Sequence, residues 1–106
     1  KRIKKIIEGK LYDTEKATLI GTCGNGLPNT DFNFVYEALY VTKKGNYFIY
    51  GAGGANTAYS ESDGNSWTDG RQIIPLNRDD AQVWAGDYLS VDDFINHFGE
   101  ESVELA

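Results

Sequence analysis

One cysteine, Cys23, and one histidine, His97, are the only soft ligands and the only thiol in the 106-residue chain. A single cysteine excludes an internal disulfide and any multi-cysteine zinc site. It also fits a reducing cytoplasm better than an oxidising exterior. No apolar run approaches the roughly 20 residues that a bilayer-crossing helix needs. The opening stretch, Lys1 to Ile7, is basic and then briefly apolar, but Glu8 interrupts it before the apolar core of a secretory signal can form. The expectation is a chain that is neither exported nor inserted in a membrane, in the cytoplasm of a bacterial host. Cations are scarce in the second half. Residues 1–50 carry eight Lys/Arg and five Asp/Glu, whereas residues 51–106 carry two Lys/Arg and eleven Asp/Glu. From Asp79 onward there are eight carboxylates and no Lys or Arg. Such a surface repels phosphates and attracts basic proteins.

What is present is enough to fold. Hydrophobic residues make up 41% and aromatics 13%, a content that disordered acidic segments lack. The length suits a single domain, 1–106, burying roughly two thirds of its unfolded surface. Lys5-Ile6-Ile7-Glu8 and Leu11-Tyr12 read as two short strands around a glycine turn. Asp13 or Thr14 can cap a brief turn before the β-branched run Thr18 to Cys23, which Gly24 to Asn29 ends with turn chemistry. Phe34 to Tyr50 is a hairpin about Lys43-Lys44-Gly45. Alternation places Val35, Glu37, Leu39 and Val41 on one face and Tyr36, Ala38 and Tyr40 on the other. One face is expected to meet the core, and the other to form a tyrosine-lined surface or meet a partner.

Residues 51–70, rich in Gly, Ser, Asn, Thr and Asp, read as a long loop anchored by Tyr59 and Trp67. Arg71 to Leu76 returns as a strand that Pro75 confines to an edge. Asn77 is a fit N-cap for a helix with Ala81, Trp84, Ala85 and Tyr88 on its inward stripe. Ser90 caps a second, with Val91, Phe94, Ile95 and Phe98 inward and Gly99 as its stop. The predicted architecture is α+β, an antiparallel sheet of four to five strands packed against two short C-terminal helices.

No catalytic constellation emerges from these segments. A Cys23–His97 pair lacks any local signature, and His97 reads as a cation favouring the C-terminal end of the last helix. Gly51-Ala52-Gly53-Gly54 lacks both phosphate-loop patterns and reads as a strand exit requiring positive φ. Asp63 to Gly70 alternates oxygen ligands as a calcium loop does, but Ile74 stands where the bidentate Glu belongs. The pairs Asp79-Asp80, Asp92-Asp93 and Glu100-Glu101 diverge around a helix rather than converge as acid and base. Neither a metal nor a cofactor is expected. Lys1, Arg2, Lys4, Lys5 and Lys10, with the tyrosines, suit a nucleic-acid strand, yet the acidic sum weighs against direct binding.

The residues Ile6 to Ala17, Asn33 to Tyr40, Thr42 to Phe48, Gly51 to Ala55 and Ile73 to Leu76, with Ala81, Trp84 and Ala85, carry a resemblance spanning almost the whole chain. It resembles small uncharacterised proteins of Gram-positive mobile genetic elements: plasmids, conjugative elements and phages. Proteins in that setting often look like counter-defence factors, and the resemblance implies a non-enzymatic, protein-binding inhibitor of the anti-CRISPR type. The implied partner is a basic nucleic-acid-binding host protein such as a Cas effector nuclease. The residues expected to contact it are Asp79, Asp80, Asp87, Asp92, Asp93, Tyr36 and Tyr40. The alternative is a small nucleic-acid-binding or regulatory accessory protein of a mobile element.

Overall fold

The computed structural model describes residues 3–62 and 64–106. Lys1, Arg2 and Asp63 lie outside them, so the expectations placed on the first two cations and on the start of the calcium-like loop concern undescribed residues. The framework is an antiparallel sheet of four strands in the order β3-β4-β5-β8. These are β3 (Thr18–Gly24), β4 (Val35–Val41), β5 (Tyr47–Gly53) and β8 (Gly70–Leu76). Two C-terminal helices, α1 (Arg78–Tyr88) and α2 (Val91–Phe98), lie on one face. A separate hairpin, β1 (Lys4–Ile7) and β2 (Lys10–Asp13), covers part of the other. The fold is α+β, as the periodicities predict.

Strand alternation sorts the side chains between two cores. Leu39, Val41, Tyr47, Ile49, Ile74 and Leu76 face the helices and meet Ala81, Ala85 and Phe98. Tyr40, Phe48 and Ile73 face the hairpin and meet Tyr12, Ile3 and Ile7. Leu39 and Phe48 are fully buried. Truncating Leu39 to Ala would cost about 2–5 kcal/mol, the transfer term plus a cavity. A bulge at Ile20, where β3 slips register between Leu19 and Gly21, turns both Ile20 and Gly21 to the helix side. Gly21 makes room there for Leu89, the first of the two residues between the helices.

The local signals act where the sequence places them. Glu8 (φ 51°) and Gly9 (φ 77°) make the two-residue turn of the β1–β2 hairpin, both left-handed as a type I′ turn requires. Asn77 accepts from the Asp80 amide at 2.7 Å and Ser90 from the Asp93 amide at 3.1 Å, capping both helices. Gly99 ends α2 at φ 89°. Pro75 sits in β8, at the sheet edge.

The N-terminal strands form their own two-stranded layer, with Ile3, Ile7 and Tyr12 packed against Phe48 and Ile73 on the sheet face. Three expectations need correction. The 51–70 loop is shorter: β5 runs to Gly53, β8 starts at Gly70, and the short strands β6 (Glu61–Ser62) and β7 (Trp67–Thr68) pair between them. None of Gly51, Gly53 and Gly54 has positive φ; close approach requires them instead. A Cβ would collide with the Tyr59 ring at Gly51, with the Thr57 hydroxyl at Gly53, and with the Asp31 and Phe32 carbonyls at Gly54. Finally, Tyr88 and Val91, assigned inward by helical spacing, are 54% and 73% exposed; they are the last residue of α1 and the first of α2, where fewer neighbours cover a side chain.

Candidate functional site

Glu37 lies in mid-strand β4, facing the helices, in register with Cys23 on β3 and Gly51 on β5. A carboxylate there is expensive unless its oxygens find donors. Three segments supply them. Trp84 of α1 donates its indole N–H to Oε1 at 2.8 Å, and the Cys23 thiol donates to the same oxygen at 3.9 Å. Tyr59, lying in the space left by Gly51, donates its hydroxyl to Oε2. All three donors are neutral, and a hydrogen bond to a charged group contributes about 1.5–3 kcal/mol. The arrangement acts back on them. Burial first, then the bond to Glu37 and its charge, raises the Tyr59 phenol pKa well above the ordinary value. Burial, then the charge of Glu37 and the bond to it, raises that of the Cys23 thiol. Cys23 is thereby held as a thiol, the form that is neither nucleophile nor metal ligand.

Beside this carboxylate a cleft of about 370 Å³ opens between α1 and the sheet. Ile49, Ile74, Leu76 and Val83 form apolar walls; Tyr59, Trp84 and Tyr88 add aromatic ones, the last two with ring centroids 5.2 Å apart. Asp80 and Asp87, two helical turns apart and hence on one face of α1, bring the lining carboxylates to three with Glu37. No lining residue is a cation. The cleft has an apolar floor for an alkyl stem, π faces for a cation, and carboxylates for its head.

The seven residues singled out from sequence divide between two faces. Asp80 and Asp87 line the cleft; Asp79, Asp92 and Asp93 are exposed in the first turns of the same two helices. Tyr36 and Tyr40 stand on the opposite face of the sheet. Tyr36 meets Tyr50 edge to face at 6.3 Å, and Tyr40 stacks on Phe48 at 5.2 Å. Burial, then the neighbouring Tyr36 and Tyr50, raises the Tyr40 phenol pKa. Sequence reasoning did not single out Glu37, Tyr59 or Trp84 as a site. The available signal was a charged residue at a core-facing position of a strand.

His97 and Cys23 belong to different clusters. His97 Nε2 lies 2.8 Å from the Tyr47 hydroxyl, which accepts from Arg78 Nη1 at 3.1 Å. Burial, then Arg78, lowers the imidazole pKa below 6.5. His97 stands in the last turn of α2 as expected, but burial and Arg78 disfavour the cationic form, and the ring is hydrogen-bonded to Tyr47. Among the described residues no group of three or more His, Cys, Asp or Glu is arranged to hold a metal ion, and no helix is long and apolar enough to cross a membrane. Comparison with protein-family models, curated proteins and solved structures finds no match.

Proposed function

We propose that the protein is a non-enzymatic binding protein whose acidic helical layer docks on a basic, nucleic-acid-binding host protein. Its specific role would be that of an anti-CRISPR inhibitor occupying the DNA or RNA channel of a Cas effector nuclease in the host cytoplasm. The observation that carries this reading is the cationless cleft of Glu37, Asp80 and Asp87, with aromatic walls and an apolar floor. It supplies what a lysine or arginine from a partner needs, while the exposed carboxylates around it favour encounter with a basic surface. Inhibition would be stoichiometric and without chemistry.

The test is cleavage by a purified Cas effector titrated with the protein. Inhibition should saturate near equimolar. It should weaken at least tenfold when Asp80 and Asp87 are both changed to Lys, since each close interfacial charge pair couples by about 1.5 kcal/mol or more. Inactivation that continues at substoichiometric protein would show turnover and remove the non-enzymatic reading. Undiminished inhibition by the charge-reversed variant would remove the cleft.

A further inference from the structure

The face of the sheet opposite the helices is only partly covered. The β1–β2 hairpin lies over Phe48 and Ile73, and beside it a hollow of about 460 Å³ remains, lined by Tyr36, Tyr40 and Tyr50 of the two central strands and by Arg71 of β8. Asn29 and Asp69 form its edge and also line a second hollow of about 360 Å³, which contains Phe32 and Trp67. Phe32 is 68% and Trp67 63% exposed. With Phe34, which also lines the first hollow, six aromatic side chains thus lie along one side of the molecule, three on the central strands, Phe32 and Phe34 in the connection before β4, and Trp67 on β7.

We infer that this aromatic track binds single-stranded nucleic acid by base stacking. Every base has a π face, so successive aromatic side chains on a sheet accept a flexible strand with little sequence preference. A duplex keeps its bases stacked on one another and cannot use them. Charge agrees once it is placed in space. Arg71 is exposed beside the tyrosines, and Lys10, Lys16, Lys43 and Lys44 surround a hollow on the far side of the hairpin's footprint. Thr42, on that lysine-lined hollow, directly follows β4 and is two residues beyond Tyr40 in the chain. Five of the carboxylates in the chain's acidic sum, Asp79, Asp80, Asp87, Asp92 and Asp93, stand on α1 and α2, behind the sheet, whereas Asp31 lines the second hollow of the track. A packed layer of about 10 Å separates such surfaces, comparable to the Debye length at physiological salt. Asp69 is the one carboxylate lining the tyrosine hollow. It turns phosphates toward Arg71 and leaves an acceptor for a base amine or a ribose hydroxyl.

The full chain should be titrated with labelled single strands of about twelve nucleotides, within the span of comparable single-strand sites. Deoxythymidine and uridine homopolymers serve as probes, with a duplex of equal length for comparison. Saturable binding of the single strands in preference to the duplex is expected, with less than tenfold loss between about 50 and 200 mM salt, since few phosphates are neutralised. Tyr36→Ala and Tyr50→Ala should each weaken binding by about five- to one-hundred-fold, the range of one base stack. Tyr36→Phe, which keeps the ring and the packing, should bind as the native chain does. Quenching of Trp fluorescence on binding should disappear in Trp67→Phe. Absence of single-strand binding by the native chain would overturn the inference. So would unchanged affinity in both Tyr→Ala variants, or binding lost only on removing Lys10, Lys43 and Lys44 with a steep salt slope. Asp80→Asn with Asp87→Asn should leave the affinity unchanged; a loss there would overturn the assignment to this face. The result does not depend on the helical docking surface.

Discussion

Glu37 is a charge on the packed side of a strand, held by neutral donors from β3, the 54–69 loop and α1. Alternation along β4 places it among Val35, Leu39 and Val41, which the sequence shows. The identity of its partners depends on chain segments 14, 22 and 47 residues away, which no local pattern relates. His97 is similar: its position in the last turn of α2 is legible, but its environment of Tyr47 and Arg78 is not. That environment has a testable consequence. With its pKa lowered, the folded chain binds fewer protons at His97 than the unfolded chain does between the folded value and 6.5. The neutral ring's contribution is therefore complete above 6.5 and is lost as pH falls through the folded value. NMR titration of the imidazole should give a midpoint below 6.5, which Arg78→Ala moves upward. His97→Gln should lose less stability than the native chain between about pH 7 and pH 5, the range in which histidine changes charge.

Elements were readable wherever their signal is local. The turn of the β1–β2 hairpin, the Lys43-Lys44-Gly45 turn, both helix caps and the edge placement of β8 follow from one to five residues of chain each. The path of residues 54–69 is set instead by what its anchors touch: Tyr59 fills the space over Gly51, and Thr57 that over Gly53. These two kinds of glycine should respond differently to a methyl group. Gly9→Ala forces a left-handed turn residue into open space and should cost about 1–2 kcal/mol. Gly51→Ala drives a methyl group into the Tyr59 ring and should cost about 1–3 kcal/mol. It also displaces a donor from Glu37, adding to that loss. Thermal melting is expected to fall by about 4–8 °C per kcal/mol for a domain of this size, more for Gly51→Ala than for Gly9→Ala. In the Gly51 variant the Cys23 thiol should also react faster with an alkylating reagent as packing about Glu37 loosens.

Across the whole molecule, the charge imbalance between the two halves of the sequence becomes a separation between two sides of a sheet. Lys4, Lys5 and Lys10 lie on the hairpin layer and Arg71 on the sheet face beneath it, whereas Asp79, Asp80, Asp87, Asp92 and Asp93 lie on the helical layer. Arg78, the one cation on the helices, donates to Tyr47 and sits 5.2 Å from the Phe98 ring centre. The helical carboxylates therefore repel one another with little compensation, by up to about 1 kcal/mol for a pair 4 Å apart in water and less at surface spacings. Added sodium chloride should raise the melting temperature by a few degrees through screening, and Asp92→Asn with Asp93→Asn should reduce that rise. A melting temperature independent of salt would contradict the crowding. The sequence by itself determined the α+β class, the caps, the turns and the charge of each segment, because these depend on neighbours a few residues apart. Only the tertiary structure decided that the N-terminal strands form a separate layer, that Glu37, Asp80 and Asp87 share one cleft, and that Tyr36, Tyr40 and Tyr50 share one hollow. Those associations depend on which surfaces exclude water against each other, a property of the packed chain as a whole.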